Sequence, residues 1–416
     1  MTRLPPSGPA LTRRAFLRQT AVATAAVGLP CFLRPEYAGA AKRPGGSPLL
    51  VVVFLRGGAD GLSLLPNQAD PELAKARHAL LAPEPLPFGD GPFALHPALG
   101  ALAPHAEYLG AVCAVGMDRA QRSHFEAQDW CERGGAPVHA RTPGWLARAL
   151  AAGASPTTLF RAVAARKGRP LALSGDPQAL AFDSLDRLRI RGSRPVVEQA
   201  LGQLFARGEG PSAPAARAGR DALEAIAALE RLAQRSFPGE ARFRGRFGQQ
   251  LATVARLAHA DLGLAAAWVD AGGWDTHIGQ GAESGALARA ATQLAEGLDA
   301  FTRSLESRLD DVLVLVVTEF GRTIAPNGSG GSDHGRASVA FALGGRVAGA
   351  QVQGRWPGAH PDAREDGRDL RVTTDLRHVL AEGARHLGCN SLASVFPGFD
   401  ARAPFLVSQS RSARPR

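Results

Sequence analysis

Unbroken apolar runs, not alternating ones, mark the strands of this chain. Residues 49–55 (LLVVVFL) are apolar throughout, which predicts a strand covered on both faces, as in a parallel sheet. Residues 312–318, again rich in Val and Leu, carry the same signature, and 262–269 and 111–115 read as further buried strands. Residues 338–343 and 347–353 supply two more. Apolar positions recur at spacings of three and four over 221–234, 241–260 and 286–309, and in a closing segment at 376–387, which predicts amphipathic helices there. A helix begins near 125–132, and a short one spans 71–81 within an otherwise Pro-rich, loop-like stretch at 71–105. Strand, helix and strand in this order imply right-handed crossovers and a doubly wound α/β sheet.

The N-terminus has a different pattern. Thr12-Arg13-Arg14-Ala15-Phe16-Leu17-Arg18 is a twin-arginine motif, an Ala-rich apolar run follows from Ala21 to Leu29, and Ala38-Gly39-Ala40 offers the small residues a signal peptidase reads. The run is well short of the roughly 20 residues needed to span a bilayer. Residues 1–40 are therefore expected to be a twin-arginine (Tat) signal peptide, with the Tat translocase as partner during export and a periplasmic or secreted mature protein beginning near Ala41. Pro30 before Cys31 argues against a lipoprotein, and no later run is long enough for a membrane helix, so no stable membrane anchor is expected. Residues 41–416 read as one domain with a helical, Ala/Arg-rich insertion around 206–260.

Charge changes this picture little. The formal net charge is +10, but residues 1–40 hold five Arg and one Glu, so the mature chain keeps about +6. The remaining Arg are scattered among Ala and Gly, and nothing resembles an aromatic-plus-basic module, so no nucleic-acid partner is expected. Cys113, Cys131 and Cys389 allow one disulfide with one thiol left over, and no zinc-finger spacing occurs.

Ligands of open parallel sheets bind beyond the carboxyl ends of the strands, so the residues after each apolar run carry the functional reading. Strand 49–55 leads into Arg56-Gly57-Gly58-Ala59-Asp60. Strand 262–269 leads into Gly272-Gly273-Trp274-Asp275-Thr276-His277. Strand 312–318 runs into Glu319-Phe320-Gly321-Arg322 and then Ser332-Asp333-His334. Acids and histidines thus converge on one sheet edge, and Asp, Glu and neutral His are the ligand set of zinc and other divalent metals. Asp60, Asp275, His277, Glu319, Asp333 and His334 are the candidate ligands. Ser123, before a helix start, is a candidate nucleophile, or an N-cap completed by Glu126 as a capping box. His124 is a candidate ligand or proton donor. Arg322 and Arg336 are candidate anion binders, and His96 and His105 are weaker site candidates.

The segments LVVVFLRGGADGLSLLP, RSHFEAQD, GGWDTH, VVTEFGRT and GGSDHGRASVAFALGG resemble the Tat-exported family known as domain of unknown function 1501, grouped with the alkaline-phosphatase-like superfamily. The resemblance covers nearly the whole mature chain. It implies a three-layer αβα sandwich with a mainly parallel sheet, and an exported metal-dependent hydrolase acting on an anionic phosphate or sulfate ester, with zinc, manganese or calcium as cofactor. Asp275, His277 and His334 resemble the ligands of one metal. Asp60 is similar to an early Asp ligand, and Glu319 stands where the pattern has the Asp of an Asp-His pair. Phe320 replaces the His of that pair, which makes one ion more secure than two. It also motivates an alternative, a non-catalytic exported binding or assembly protein that retains the fold.

Overall fold

The computed structural model describes residues 47–119, 121–135, 142–153, 158, 160–183, 203, 223, 227–232 and 234–407. The expected signal peptide and the Ala/Arg-rich stretch 206–220 lie outside the described residues. The chain divides into two compact units, Ala38–Leu188 with Leu229–Arg416, and Met1–Tyr37 with Arg189–Ala228. All that follows concerns the first.

Its centre is a nine-stranded sheet. Strand β1 (Leu49–Leu55) is buried at every position because parallel strands flank it on both sides: β7 (Ala266–Ala271) and β8 (Val312–Thr318). Beyond β7 lie β5 (Ala162–Ala164) and then β6 (Leu180–Ala181), both parallel. Beyond β8 come β9 (Ser338–Leu343), β4 (Leu109–Gly116) and β10 (Gln351–Gln353), with β11 (Thr374–Asp375) also paired to β4. Only β9 runs antiparallel to its neighbours in this sheet. Two short strands, β2 (Leu86–Pro87) and β3 (Ala94–Leu95), form a separate hairpin inside the stretch expected to be loop.

Alternation along β1 separates two layers of helix. Leu50, Val52 and Phe54 join one core cluster with Trp145, Leu146, Leu376, Val379 and Leu380. Trp145 opens α4 (Trp145–Ala152), and the last three belong to α7 (Leu376–His386). The intervening positions of β1 face the other side. There α5 (Gly245–His259) packs on β7 and on α6 (Ala286–Ser304). The buried positions of α5, Phe247, Leu251, Val254, Ala255 and Ala258, follow the three-and-four spacing that predicts an amphipathic helix. This helix lies in the first compact unit, so the expected insertion at 206–260 does not reach that far. The remaining helices are α1 (Gly61–Leu64), α2 (Pro71–Arg77) and α3 (His124–Arg133).

The element ends differ from expectation for local reasons. The strand expected at 262–269 begins at Ala266, because Asp261 and Gly263 adopt positive φ in a turn. It continues through Asp270, whose carboxylate is held by Trp268, Arg56 and Arg166. The long helix stops at Ser304 and gives way to 3-10 turns over Glu306–Asp311. Cys113, Cys131 and Cys389 are buried free thiols, so no disulfide forms among them. No helix among the described residues is long and apolar enough to cross a membrane.

Candidate metal centre

The loops after β1, β7 and β8 meet at the carboxyl edge of the sheet. Arg322 holds them together. Its fully buried guanidinium donates to the carbonyls of Gly58 (2.6 Å), Ser332 (2.9 Å), Trp274 (3.0 Å) and Gly57, and to Asp275 Oδ1 (2.6 Å). Such close approach requires glycine at position 57: φ is +121°, and a Cβ there would lie 2.6 Å from the Asp275 nitrogen. Arg322, expected to clamp an anion, has instead committed its donors to the loops themselves.

This frame places three imidazoles around one carboxylate oxygen. Asp275 Oδ1 lies 3.2 Å from His277 Nε2, 3.3 Å from His334 Nε2 and 3.6 Å from His124 Nε2. The Nε2 atoms of His277 and His334 are 2.9 Å apart. Donor atoms of His124, Asp275 and His334 all fall within 4.8 Å of one another. A tetrahedral ion with metal–ligand bonds of roughly 2.0–2.1 Å has ligand–ligand edges of about 3.3–3.4 Å. The separations of Asp275 from His277 and His334 are close to this, whereas the 2.9 Å between His277 and His334 is shorter.

The other ring nitrogens explain the arrangement. His124 Nδ1 donates to Glu319 Oε1 (3.0 Å), His277 Nδ1 to Asp333 Oδ1 (3.2 Å) and His334 Nδ1 to the Arg122 carbonyl (2.8 Å). A neutral imidazole donating from Nδ1 keeps its Nε2 lone pair free. The three Nε2 atoms converge on Asp275 Oδ1, and His124 Nε2 is buried without a hydrogen-bond partner. An orphaned, lone-pair-bearing nitrogen beside an ionised carboxylate fits a cation, and oxygen partners on the far nitrogens are how metal-binding histidines are oriented.

Electrostatics favour ionised acids and a neutral His334, and pull the other way at His124. Burial opposes ionisation of Asp275, but the hydrogen bond and charge of Arg322 outweigh it and hold its pKa below the ordinary carboxylate value. The same contest at Glu319 ends the same way, through hydrogen bonds from His124, Gln128 and Gly57. The bond to Glu319 raises the His124 pKa, while burial lowers that of His334. Asp333 is held down by Asn327.

The structure therefore sorts the expected ligands. His124, Asp275, His277 and His334 come together. Glu319, fully buried, stands one layer behind: its Oε1 accepts from Gly57, Gln128 and His124 and its Oε2 from Thr318. Asp333 likewise orients His277 and faces away from the donors. Asp60 is not part of the cluster, because its buried carboxylate is taken by Arg77, Ser63 and Gln280. Phe320, itself buried, packs against the rings of His124 (5.0 Å) and His334 (4.7 Å).

Ser123 occupies the N-cap position of α3, but its side chain makes no cap bond. Glu126 is engaged by Gln121 instead, so the expected capping box is absent. Arg336 pairs with Glu365, His96 bonds the Ala282 carbonyl and His105 bonds Asp299, so none of the three joins the cluster. Two contributors escaped the sequence reading. Gln128 lies one helical turn after His124, and that i, i+4 spacing was the available signal. Arg122 acts through its carbonyl, for which a side-chain pattern offers no signal.

Fold and site together define an α/β protein with a His/Asp cluster, His124, Asp275 and His334 with His277 beside them, at the carboxyl edge of a mainly parallel sheet. The chain belongs to the family described as "Protein of unknown function (DUF1501)", which matches residues 86–390. No curated protein matches it in sequence. Among solved structures, it is similar to the PsFucS1 sulfatase from Pseudoalteromonas sp., with 11% identity over 89% of this chain and 72% of that one and a TM-score of 0.40. It is also similar to a TAB5 alkaline phosphatase mutant with bound Mg, with 9% identity over 83% and 99% and a TM-score of 0.33. A third is the Thermus thermophilus alkaline phosphatase, with 17% identity over 70% and 63% and a TM-score of 0.29. Likeness at this level says nothing about the chemistry of this chain.

Proposed function

We propose that this protein is an exported, metal-dependent hydrolase of a phosphate or sulfate ester. The observation that carries the reading is the convergence of three Nε2 atoms on Asp275 Oδ1, each imidazole fixed from behind. His124, Asp275, His277 and His334 would hold one divalent cation. When bound, it supplies Lewis-acid stabilisation of charge on the ester. A nitrogen-rich donor set favours zinc over manganese or calcium, which prefer oxygen.

The chain's own residues do the rest. Ser123, at the start of α3 and next to His124, is the nucleophile in this reading: its Oγ bonds to phosphorus or sulfur, the ester oxygen leaves with the electron pair, and the hydroxyl proton passes to that oxygen through solvent. Water then releases the oxyanion from Ser123. Unpaired N–H groups in the first turn of α3 favour an anionic group there. Export by the twin-arginine route, supported by Thr12–Arg18 and Ala38–Ala40, would deliver the protein folded to the periplasm or beyond.

Metal content of the purified protein is the first test. About one ion per wild-type chain and none in His277→Ala/His334→Ala is expected; near-zero metal in both defeats the proposal. Phe320, standing where the resemblance has a second-metal His, favours a second reading in which the centre binds without turnover. Aryl phosphates and sulfates with added zinc, manganese or calcium separate the two. Turnover that vanishes in Ser123→Ala rejects the binding-only reading.

A further inference from the structure

A cavity of about 470 Å³ opens beyond the ends of β1, β5 and β7, on the same sheet edge as the histidine cluster. Four cations, Arg56, Arg166, Lys167 and Arg246, line it against a single acid, Asp270. Asp270 is shared between Arg56 (3.1 Å) and Arg166 (2.7 Å). Among the described residues, no acid pairs with Lys167 or Arg246. A second feature points the same way. Arg246 sits in the first turn of the 15-residue helix α5, whose N-cap residue makes no side-chain cap and whose first turn has no acid. The free N–H groups and positive end of a helix favour anions, and neither the N-cap side chain nor a first-turn acid supplies one.

The cavity is also wired to the cluster. Arg56 Nη1 donates to Gln128 Oε1 (2.7 Å), Gln128 Nε2 donates to Glu319 Oε1 (2.9 Å), and that oxygen holds His124 Nδ1 (3.0 Å). Gly272, in the cavity wall, lies three residues before Asp275. The volume falls within the roughly 300–1,000 Å³ of ligand pockets, too large for a bare tetrahedral ion and suited to a ring carrying one.

We propose that this cavity is a second anion subsite, receiving a sulfate or phosphate group on a ring adjacent to the one whose ester lies at the His124–Asp275–His277–His334 centre. It rests on the hydrolase reading for the word substrate, and it narrows that substrate to a polyanion with at least two such groups. Arg246 and Lys167, free of acid partners among the described residues, provide the affinity. Arg56 sets the boundary between the subsite and the centre.

Calorimetric titration of the full chain with sucrose octasulfate and with inositol hexakisphosphate, against unsubstituted sucrose and inositol, tests it. Binding of at least one polyanion, weakened at least tenfold in Lys167→Glu/Arg246→Glu, is expected, and the tighter of the two names the anion. Both positions are exposed, and thermal melting verifies that the variant is folded. The same titration on His277→Ala/His334→Ala keeps the subsite apart from the metal centre: affinity retained there supports the subsite even if no ester is ever turned over. No binding of either polyanion, or equal affinity in wild type and the charge-reversed variant, overturns the proposal.

Discussion

Two polar clusters share the carboxyl edge of this sheet and draw on the same three strand-end loops, yet one is closed and the other open. In the closed one, Asp60 follows β1 and faces Arg77 with both side chains fully buried. Ser63 and Gln280 donate to the same carboxylate, and Arg77 reaches the carbonyls of Thr323 and Ile324. In the open one, Asp275 follows β7, is half-exposed, and meets three imidazole nitrogens as well as the buried Arg322 guanidinium. The closed cluster leaves Asp60 Oδ1 and Arg77 Nε buried without a hydrogen bond, and the open one leaves His124 Nε2. They differ in surroundings. Asp60 has its counter-charge inside the protein, whereas the His124 lone pair adjoins a carboxylate that solvent reaches. An acid beyond a strand end is thus no indicator of a site by itself. Both acids have a buried arginine; the indicator is what else surrounds them, internal donors alone at Asp60 and solvent with three imidazoles at Asp275.

The largest effect should come from the closed cluster. Arg77→Met strands a buried carboxylate, and breaking a buried ion pair by removing one partner costs about 3–5 kcal/mol. Urea unfolding should show that loss, while metal content per folded chain stays at the wild-type value. A cost under about 1 kcal/mol would mean that Asp60 is not held as a charge, and the contrast would collapse. At the open cluster the expectation reverses. Glu319→Gln keeps the shape but weakens the acceptor that draws the His124 Nδ1 proton. Changing such an outer partner costs about 10–100-fold in metal affinity, read by competition with a chromophoric chelator.

The sheet was legible because its strands are apolar on both faces. Runs 49–55, 312–318 and 338–343 coincide with β1, β8 and β9, since no loop residue there mimics a strand. Asp270 obscured the end of β7, because ion pairs let an acid stay in a strand and a residue pattern contains no pairing. The convergence of Asp275, His277 and His334 was legible from the strand-end rule. Asp60 and Glu319 satisfied the same rule but failed the assignment, because Arg77, Ser63 and Gln280 in one case and Gln128, Thr318 and Gly57 in the other are distant in sequence. His124 enters from the far side of the chain on a helix start, which strand ends do not predict.

Acidity separates the histidines within the open cluster. The hydrogen bond to Glu319 raises the His124 pKa, whereas burial lowers that of His334. As pH falls through the raised value, His124 gains a proton on Nε2 and loses its lone pair, while His334 is still neutral. Metal affinity should therefore weaken first with a slope of one proton, about tenfold per pH unit, and steepen only at lower pH. In Glu319→Gln the onset should move to lower pH, because the interaction that stabilises the imidazolium is diminished. An onset unmoved by that change would remove Glu319 from behind His124.

The smallest effect tests whether orientation alone matters. Asp333 is exposed and supports His277 through a 3.2 Å contact, itself steadied by Asn327 at 3.0 Å. Asp333→Ala takes nothing from the core, so stability should stay within about 0.5 kcal/mol. Metal affinity should fall by less than in Glu319→Gln, about tenfold at most, because solvent replaces the lost acceptor at an exposed position whereas nothing replaces it beside buried Glu319. If Asp333→Ala weakens the metal as much as Glu319→Gln does, burial of the supporting acid is not what fixes the imidazole, and the division between a buried and an exposed support fails.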